Sequence, residues 1–330
     1  MNSGADTGGL LIEILICTHN RRALLERTLK HLNAAIRPSG ARIAVLVATN
    51  ACTDETENYL DEYVAAATAD EHAIPLRRIS VPTPGKSNAL NEAIPQLRGD
   101  IIAFVDDDHR VDKRYLTGVC DAARKFPDVA LFCGRILPDW DGSEPGWVHH
   151  EGPYKIFPLP VPRFDQGDMG RLIQPGTVTP GGGNLFLRRD IFDRVGGFAV
   201  DLGPVAHNLG GAEDIEWVRR ALRKGEALRY EPDVVQYHYV ELERLQLGYV
   251  MRKAYERTAS TMRLNPAIGE SQPLPLYMWR KLVAYTVQAV SSLTAQSRRY
   301  YLVRMAAAWG EIRGFQKRRV EARAGIRRGA

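Results

Sequence analysis

The chain has 330 residues, 45% hydrophobic and 25% charged, enough for one large domain or two modest ones and unlike a largely disordered protein. Its four cysteines, Cys17, Cys52, Cys120 and Cys133, form no C-x-x-C pair, which argues against a zinc ribbon or disulfide scaffold and fits a reducing cytoplasm. Net charge is +5 but uneven: residues 241–330 hold 17 Lys or Arg against 6 Asp or Glu, a net of +11, leaving −6 for residues 1–240. A carboxylate-rich front suits metal chemistry, and a basic tail suits phosphates, anionic lipid or nucleic acid.

The N-terminus lacks the basic region and cleavage site of a signal peptide. LIEILIC (11–17) reads as a strand and 21–36 as a helix by the spacing of its apolar positions. A strand at 42–48, a helix at 54–67, a strand at 76–81 and a helix at 86–97 follow. DIIAFV (100–105) is the fourth strand, with a helix near 112–125. Strands alternating with helices predict an α/β fold, a mostly parallel sheet flanked by helices. In such sheets ligands bind beyond the carboxyl ends of the strands. THN, TNACTD, PTPGKSN and DDDH all fall there.

Residues 138–183 are rich in Pro, Gly and aromatics without helical period, a long loop region. GGGNLFLRR (181–189) and VVQYHYV (234–240) each lead into or form a strand, and beyond 241 the pattern is helical again. The apolar stretch 282–296 is too short and too often interrupted to span a bilayer, which takes about 20 apolar residues. With Arg280, Lys281, Arg298 and Arg299 at its ends it is either an interfacial helix or one packed on the preceding α/β domain.

The chemistry concentrates in two acidic groups. Asp106, Asp107 and Asp108 follow an apolar strand, and a D-x-D turn offers hard oxygen ligands to Mg²⁺ or Mn²⁺. The alternative is an acidic turn capping the next helix. Glu213 and Asp214 open a helix, as a general base or as its N-cap. His238, at a strand end, is either a further metal ligand or structural. Lys86 and the backbone of PGKSN offer a diphosphate cradle that is not a Walker A loop. His109, His149 and His150 are available for a functional role, but nothing in the spacing requires one.

In order, ILICTHNR, VLVATNACTDET, GKSNALNEAI, GDIIAFVDDD, GGGNLFLRRDIFDRVGGF and GAEDIEWVRRALRKG resemble the family 2 inverting glycosyltransferases with the GT-A nucleotide-sugar-binding fold. The resemblance covers about residues 11–240 and implies a catalytic domain at 1–240 with a basic helical extension at 241–330. It implies that Thr18, Asn20, Asn50, Asp54, Lys86, Asn91, Asp106 and Asp107 lie by the nucleotide sugar. Asp108 and His238 would hold Mg²⁺ or Mn²⁺, and Asp214, with Glu213 beside it, would be the base. Two positions depart from the pattern: Thr49 where an acid is usual and Leu90 where Arg is usual.

The implied reaction is a single displacement, in which an acceptor hydroxyl attacks the anomeric carbon opposite a nucleoside diphosphate. On the acceptor side stand Trp140, Trp147, Gly183 and Asn184, the tryptophans either stacking on a sugar or anchoring the loop. The resemblance and the basic tail together imply a glycan or lipid-linked glycan acceptor, surface-polysaccharide assembly, and a cytoplasmic protein with peripheral contact to an anionic membrane. The C-terminal helices equally suit a homodimer. Competing readings are a non-catalytic nucleotide-sugar binder, a transferase acting on a soluble metabolite or peptide, and a nucleotidyltransferase. The last would carry a Gly-rich loop after the first strand, where CTHNR has no glycine. No nucleic-acid-binding motif occurs in the tail.

Overall fold

A computed structural model describes residues 9–67, 73–200, 212–263, 265, 267–269 and 271–323; the glycines at 210 and 211, before the second acidic pair, lie outside them. The described residues fall into two compact units, one within 1–139 and 162–239, the other within 140–161 and 240–330. The loop region 138–183 is therefore divided, with 140–161 belonging to the second unit.

The first unit runs β1 (Leu10–Thr18), α1 (Arg22–Asn33), β2 (Ala41–Asn50), α2 (Thr56–Ala67), β3 (Leu76–Val81), α3 (Lys86–Ala93), β4 (Ile101–Phe104), β5 (His109–Val111) and α4 (Tyr115–Lys125). It continues with β6 (Leu131–Asp139), β7 (Arg171–Ile173), β8 (Leu185–Arg188), α5 (Ile191–Val195), α6 (Ala212–Arg223) and β9 (Leu228–Tyr239). The third helix is shorter than its apolar spacing predicts, because Pro95 supplies no N–H and the run closes in a 3₁₀ turn.

Strands β3, β2, β1 and β4 lie side by side and parallel, as the alternating pattern predicts. Beyond β4 the sheet is mixed. β8 pairs antiparallel with both β4 and β6, and β9 pairs parallel with β6 but antiparallel with β5 and β7. β8 follows an irregular segment rather than a crossover helix, so its direction is not tied to that of its neighbours. Period two along β1 sends Ile12, Ile14 and Ile16 into one apolar layer with Leu25, Leu29 and Leu116. Leu15 faces the opposite layer, with Ala89, Leu90 and Trp217.

In the second unit α7 (Leu247–Arg263), α8 (Leu276–Ser291) and α9 (Ala295–Arg323) pack with α9 against both partners. Ile312 and Phe315 of α9 meet Met278 of α8, and Val303 meets Val250 and Ala254 of α7. Trp140 and Trp147 are half-buried within this unit. Trp140 sits edge-on to His149 at 5.4 Å, and Trp147 lies under the Arg299 guanidinium at 5.0 Å. Both pack on Val148, Val161, Val240 and Leu245, the anchoring arrangement rather than open rings for stacking.

Candidate active site

The aspartate turn between β4 and β5 is pinned on both sides. The Thr28 hydroxyl of α1 lies 3.0 Å from the Asp107 carbonyl and 2.7 Å from that of His109, and the Tyr239 N–H donates to the Asp108 carbonyl at 2.8 Å. Fixing the backbone fixes where three like charges sit. The cations that face them belong to the chain itself. Arg21 donates to Asp107 at 3.0 Å and to Asp108 at 2.9 Å, and Lys86 donates to Asp106 at 3.0 Å. Burial and the neighbouring charge of Asp108 push Asp107 up to about 6, against the pull of Arg21 and Thr18. Burial acts the same way on Asp106, but Lys86 and His109 outweigh it and hold that carboxyl well below the usual range.

Lys86 joins the two acidic groups. Its ammonium lies 3.0 Å from Asp106 and 3.6 Å from Asp214, at the start of α6. Burial works against its charge, yet the two carboxylates raise its pKa well above the ordinary value. The helix that carries Asp214 is oriented by Trp217, which is fully buried, stacks on Phe198 at 5.4 Å and donates to the Gly196 carbonyl at 2.8 Å. A buried aromatic of this size is worth about 3–5 kcal/mol against alanine. The Arg220–Glu216 pair on the same helix is worth only about 0.5 kcal/mol, so packing sets the helix. The glycines at 182 and 183 close the other side. A methyl group on Gly182 would overlap the Asp214 carboxylate, and one on Gly183 would come within 2.7 Å of both Asp106 and His109.

Glu213, next to Asp214, is buried, and its Oε2 meets no hydrogen-bond partner among the described residues. Burial, then the charge of Asp214, push it up to about 7, with Lys86 opposing and Asp106 adding. The folded protein therefore holds this proton where the unfolded chain, near 4.5, releases it. The stability tied to that proton is complete below pH 4.5 and is lost as pH rises to 7. Glu213→Gln does not titrate, so thermal melts of the two chains should diverge in the variant's favour across that window. A constant difference between them would show that Glu213 ionises normally.

The two histidines meet because β5 and β9 pair antiparallel with His109 opposite His238, which brings the rings edge-on at 5.0 Å. Each donates its Nδ1 proton away from the site: His109 to Gln236 Oε1 at 2.5 Å, and His238 to the Tyr239 carbonyl at 2.5 Å. That leaves both Nε2 lone pairs toward Asp108, at 3.9 and 3.7 Å. Burial lowers the His238 pKa in spite of Asp108, which keeps the ring neutral and able to ligate. One carboxylate and two imidazole nitrogens form a donor set that fits a divalent transition-type cation. Asp108 carries Arg21 as well, so the guanidinium shares or yields that oxygen when a cation binds.

Several of the residues expected beside the nucleotide act as struts in the fold. Asn20, at a left-handed φ of 52° that Asn tolerates, accepts from Thr53 N–H at 2.7 Å and Asp54 N–H at 3.3 Å. Asn50 accepts from Gly85 N–H and donates to the Thr83 carbonyl, both at 2.7 Å, and so holds the loop that presents Lys86. Both ends of the Asn91 amide are spent on the backbone of Phe198, at 2.7 and 2.8 Å. Asn184 is likewise not on an open acceptor surface. It is buried and bonds the Arg135 and Val234 carbonyls at 2.9 and 3.0 Å, where β6 and β9 shift register. Short amides near strand ends and on α3 satisfy backbone groups that the sheet and helices leave over, which accounts for these placements. Thr18 is buried at the end of β1 beside Asp107, and Asp54 is exposed, accepting from the Thr56 N–H at the start of α2 at 3.1 Å. Thr49 is buried and donates to Glu57 at 2.5 Å, so an acidic side chain from α2 stands where the strand end lacks one. Arg21, His109, Gly182 and Gln236 escaped the sequence reading; Gln236 shares the buried face of β9 with His238 by period two.

The succinoglycan biosynthesis protein ExoM of Rhizobium meliloti is 25% identical over 256 residues, covering 77% of this chain and 75% of its own. Among solved structures, the mannosyltransferase PcManGT from Pyrobaculum calidifontis, in complex with GDP-Man and Mn²⁺, superposes with a TM-score of 0.52 at 16% identity, over 92% of this chain and 88% of that one. S. aureus TarS 1-349 gives 0.51 at 16% identity, over 96% and 92%. Likeness at that identity speaks for the fold, the GT-A arrangement. Residues 13–196 match the family described as Glycosyl transferase family 2, and the chain belongs to that family.

Proposed function

We propose that this glycosyltransferase moves a sugar from a nucleoside-diphosphate sugar to an acceptor hydroxyl with inversion, in the assembly of a surface polysaccharide or glycoconjugate. The observation that carries the reading is Lys86, whose ammonium links the aspartate turn to Asp214. Asp214 takes the acceptor hydroxyl's proton, and the freed oxygen forms a bond to the anomeric carbon. The bond from that carbon to the diphosphate oxygen breaks, and the diphosphate leaves with the electron pair. On this reading Lys86 and Arg21, paired with the aspartate turn, face the negative charge that grows on the diphosphate, where electrostatic stabilisation lowers a barrier most. When bound at Asp108, His109 and His238, a divalent cation supplies further positive charge to the diphosphate. Two imidazole donors favour Mn²⁺ over Mg²⁺, which prefers oxygen ligands. ExoM's role in succinoglycan biosynthesis supports a polysaccharide acceptor, and PcManGT with GDP-Man and Mn²⁺ supports the donor class and the cation.

Calorimetry with UDP, GDP, dTDP and CDP, with and without Mn²⁺, tests this on the wild type and on Asp108→Ala. One nucleotide should bind in a Mn²⁺-dependent way, and Asp108→Ala should abolish that dependence. Binding that ignores Mn²⁺, or no binding at all, would sink the metal-dependent transfer.

A further inference from the structure

Helix α8 is amphipathic in an inverted sense. Met278, Leu282, Tyr285 and Ala289 face inward, Met278 and Leu282 within an apolar cluster that includes α9. On the opposite side Leu276, Val283, Val287 and Val290 are between 59% and 81% exposed, and Trp279 joins them. At about 100° per residue these five positions fall within roughly 80° of arc, one continuous stripe. A solvated helix carries polar residues there, and an exposed apolar row of this kind marks a binding surface. Trp279 meets Trp309 of α9 at 6.3 Å, so the stripe ends in two half-exposed indoles. Leu293, in the turn after α8, is 99% exposed.

Charge identifies the occupant. Residues 271–323 contain only two carboxylates, Glu311 and Glu321, and these are tied to Lys281 and Arg263. Arg280, Arg298, Arg313 and Lys317 meet no carboxylate among the described residues. An apolar stripe beside unneutralised cations complements an anionic, apolar-backed surface. A second copy of the same face would set cation against cation in a segment, residues 271–323, of net charge +8. No helix of the described residues is long and apolar enough to cross a membrane, and α8, at 16 residues and about 24 Å, fits flat in an interface. We propose that α8 and its junction with α9 dock this chain on the surface of an anionic lipid bilayer, the valine stripe entering the acyl boundary and the arginines meeting phosphate headgroups.

Cosedimentation of the full chain with vesicles tests this without any sugar nucleotide, so it stands or falls apart from the transfer chemistry. The wild type should sediment with mixed phosphatidylcholine–phosphatidylglycerol vesicles and remain in solution with pure phosphatidylcholine. Raising salt from 0.1 to 1 M, which shortens screening from ~10 to ~3 Å, should weaken the binding. Val283→Asp with Val287→Asp should lose about tenfold or more of it while melting as the wild type does, since both positions are exposed. Equal binding to both vesicle types, binding that survives the double substitution, or none by the wild type would overturn the proposal. So would a dimer in light scattering that the same substitution dissolves, which would assign the stripe to a second copy.

Discussion

Asp214→Asn is expected to lower kcat by about 10²–10⁴-fold and to change the donor's Kd by no more than about threefold. Asparagine keeps the shape that fits against Gly182, and Lys86 keeps its 3.0 Å bond to Asp106, so the cradle survives. What disappears is the carboxylate proposed to take the acceptor's proton. Nucleoside diphosphate release from whichever donor calorimetry identifies gives the rate, and the same titration gives Kd. Glu213→Gln is the internal control: its carboxyl, pushed up to about 7, holds its proton through much of the working range and should be far less missed. If Glu213→Gln lost as much as Asp214→Asn, the base would be Glu213. A wild-type kcat in Asp214→Asn would remove the base role from the pair.

Much of the parallel half of this fold is legible in sequence, because local pattern and tertiary role agree there. LIEILIC, RIAVLVA and DIIAFV are short apolar runs ending in turn residues, and the sheet buries them on both faces. Legibility fails where an element is made by its partner. β5, three residues long, has no apolar run of its own and exists because β9 lies beside it. His109 therefore reads as an unremarkable residue after three aspartates until the register sets it opposite His238. The amides of Asn20, Asn50, Asn91 and Asn184 fail in the other direction. They sit in the motifs that carry the family resemblance, yet their hydrogen bonds go to backbone groups that no local pattern reveals. Arg21 occupies the position where sequence reasoning supplied only an external cation: the aspartates' first counter-charges are encoded in the chain.

Gln236 is where the buried half of the site can be separated from the fold that holds it. It is fully buried, and its Nε2 lies 2.9 Å from the Phe104 carbonyl, 3.0 Å from Tyr115 Oη and 3.1 Å from Asn184 Oδ1. Three acceptors around one nitrogen leave Oε1 as the atom that faces His109, and that in turn places the proton on His109 Nδ1 and the lone pair on Nε2. Gln236→Leu removes this orientation and should weaken Mn²⁺ binding by about 10–100-fold, the usual cost of losing an outer-sphere partner. It also orphans the three acceptors, so Tm should fall too. Gln236→Glu separates the two effects, because it keeps an oxygen toward His109 and turns a carboxyl oxygen, in place of the donor, toward the three acceptors. Its Tm should fall while Mn²⁺ affinity, read by calorimetry, stays within about threefold of the wild type. Equal Mn²⁺ affinity in wild type and Gln236→Leu, with only Tm reduced, would make Gln236 a purely structural residue and leave His109 outside the cation site.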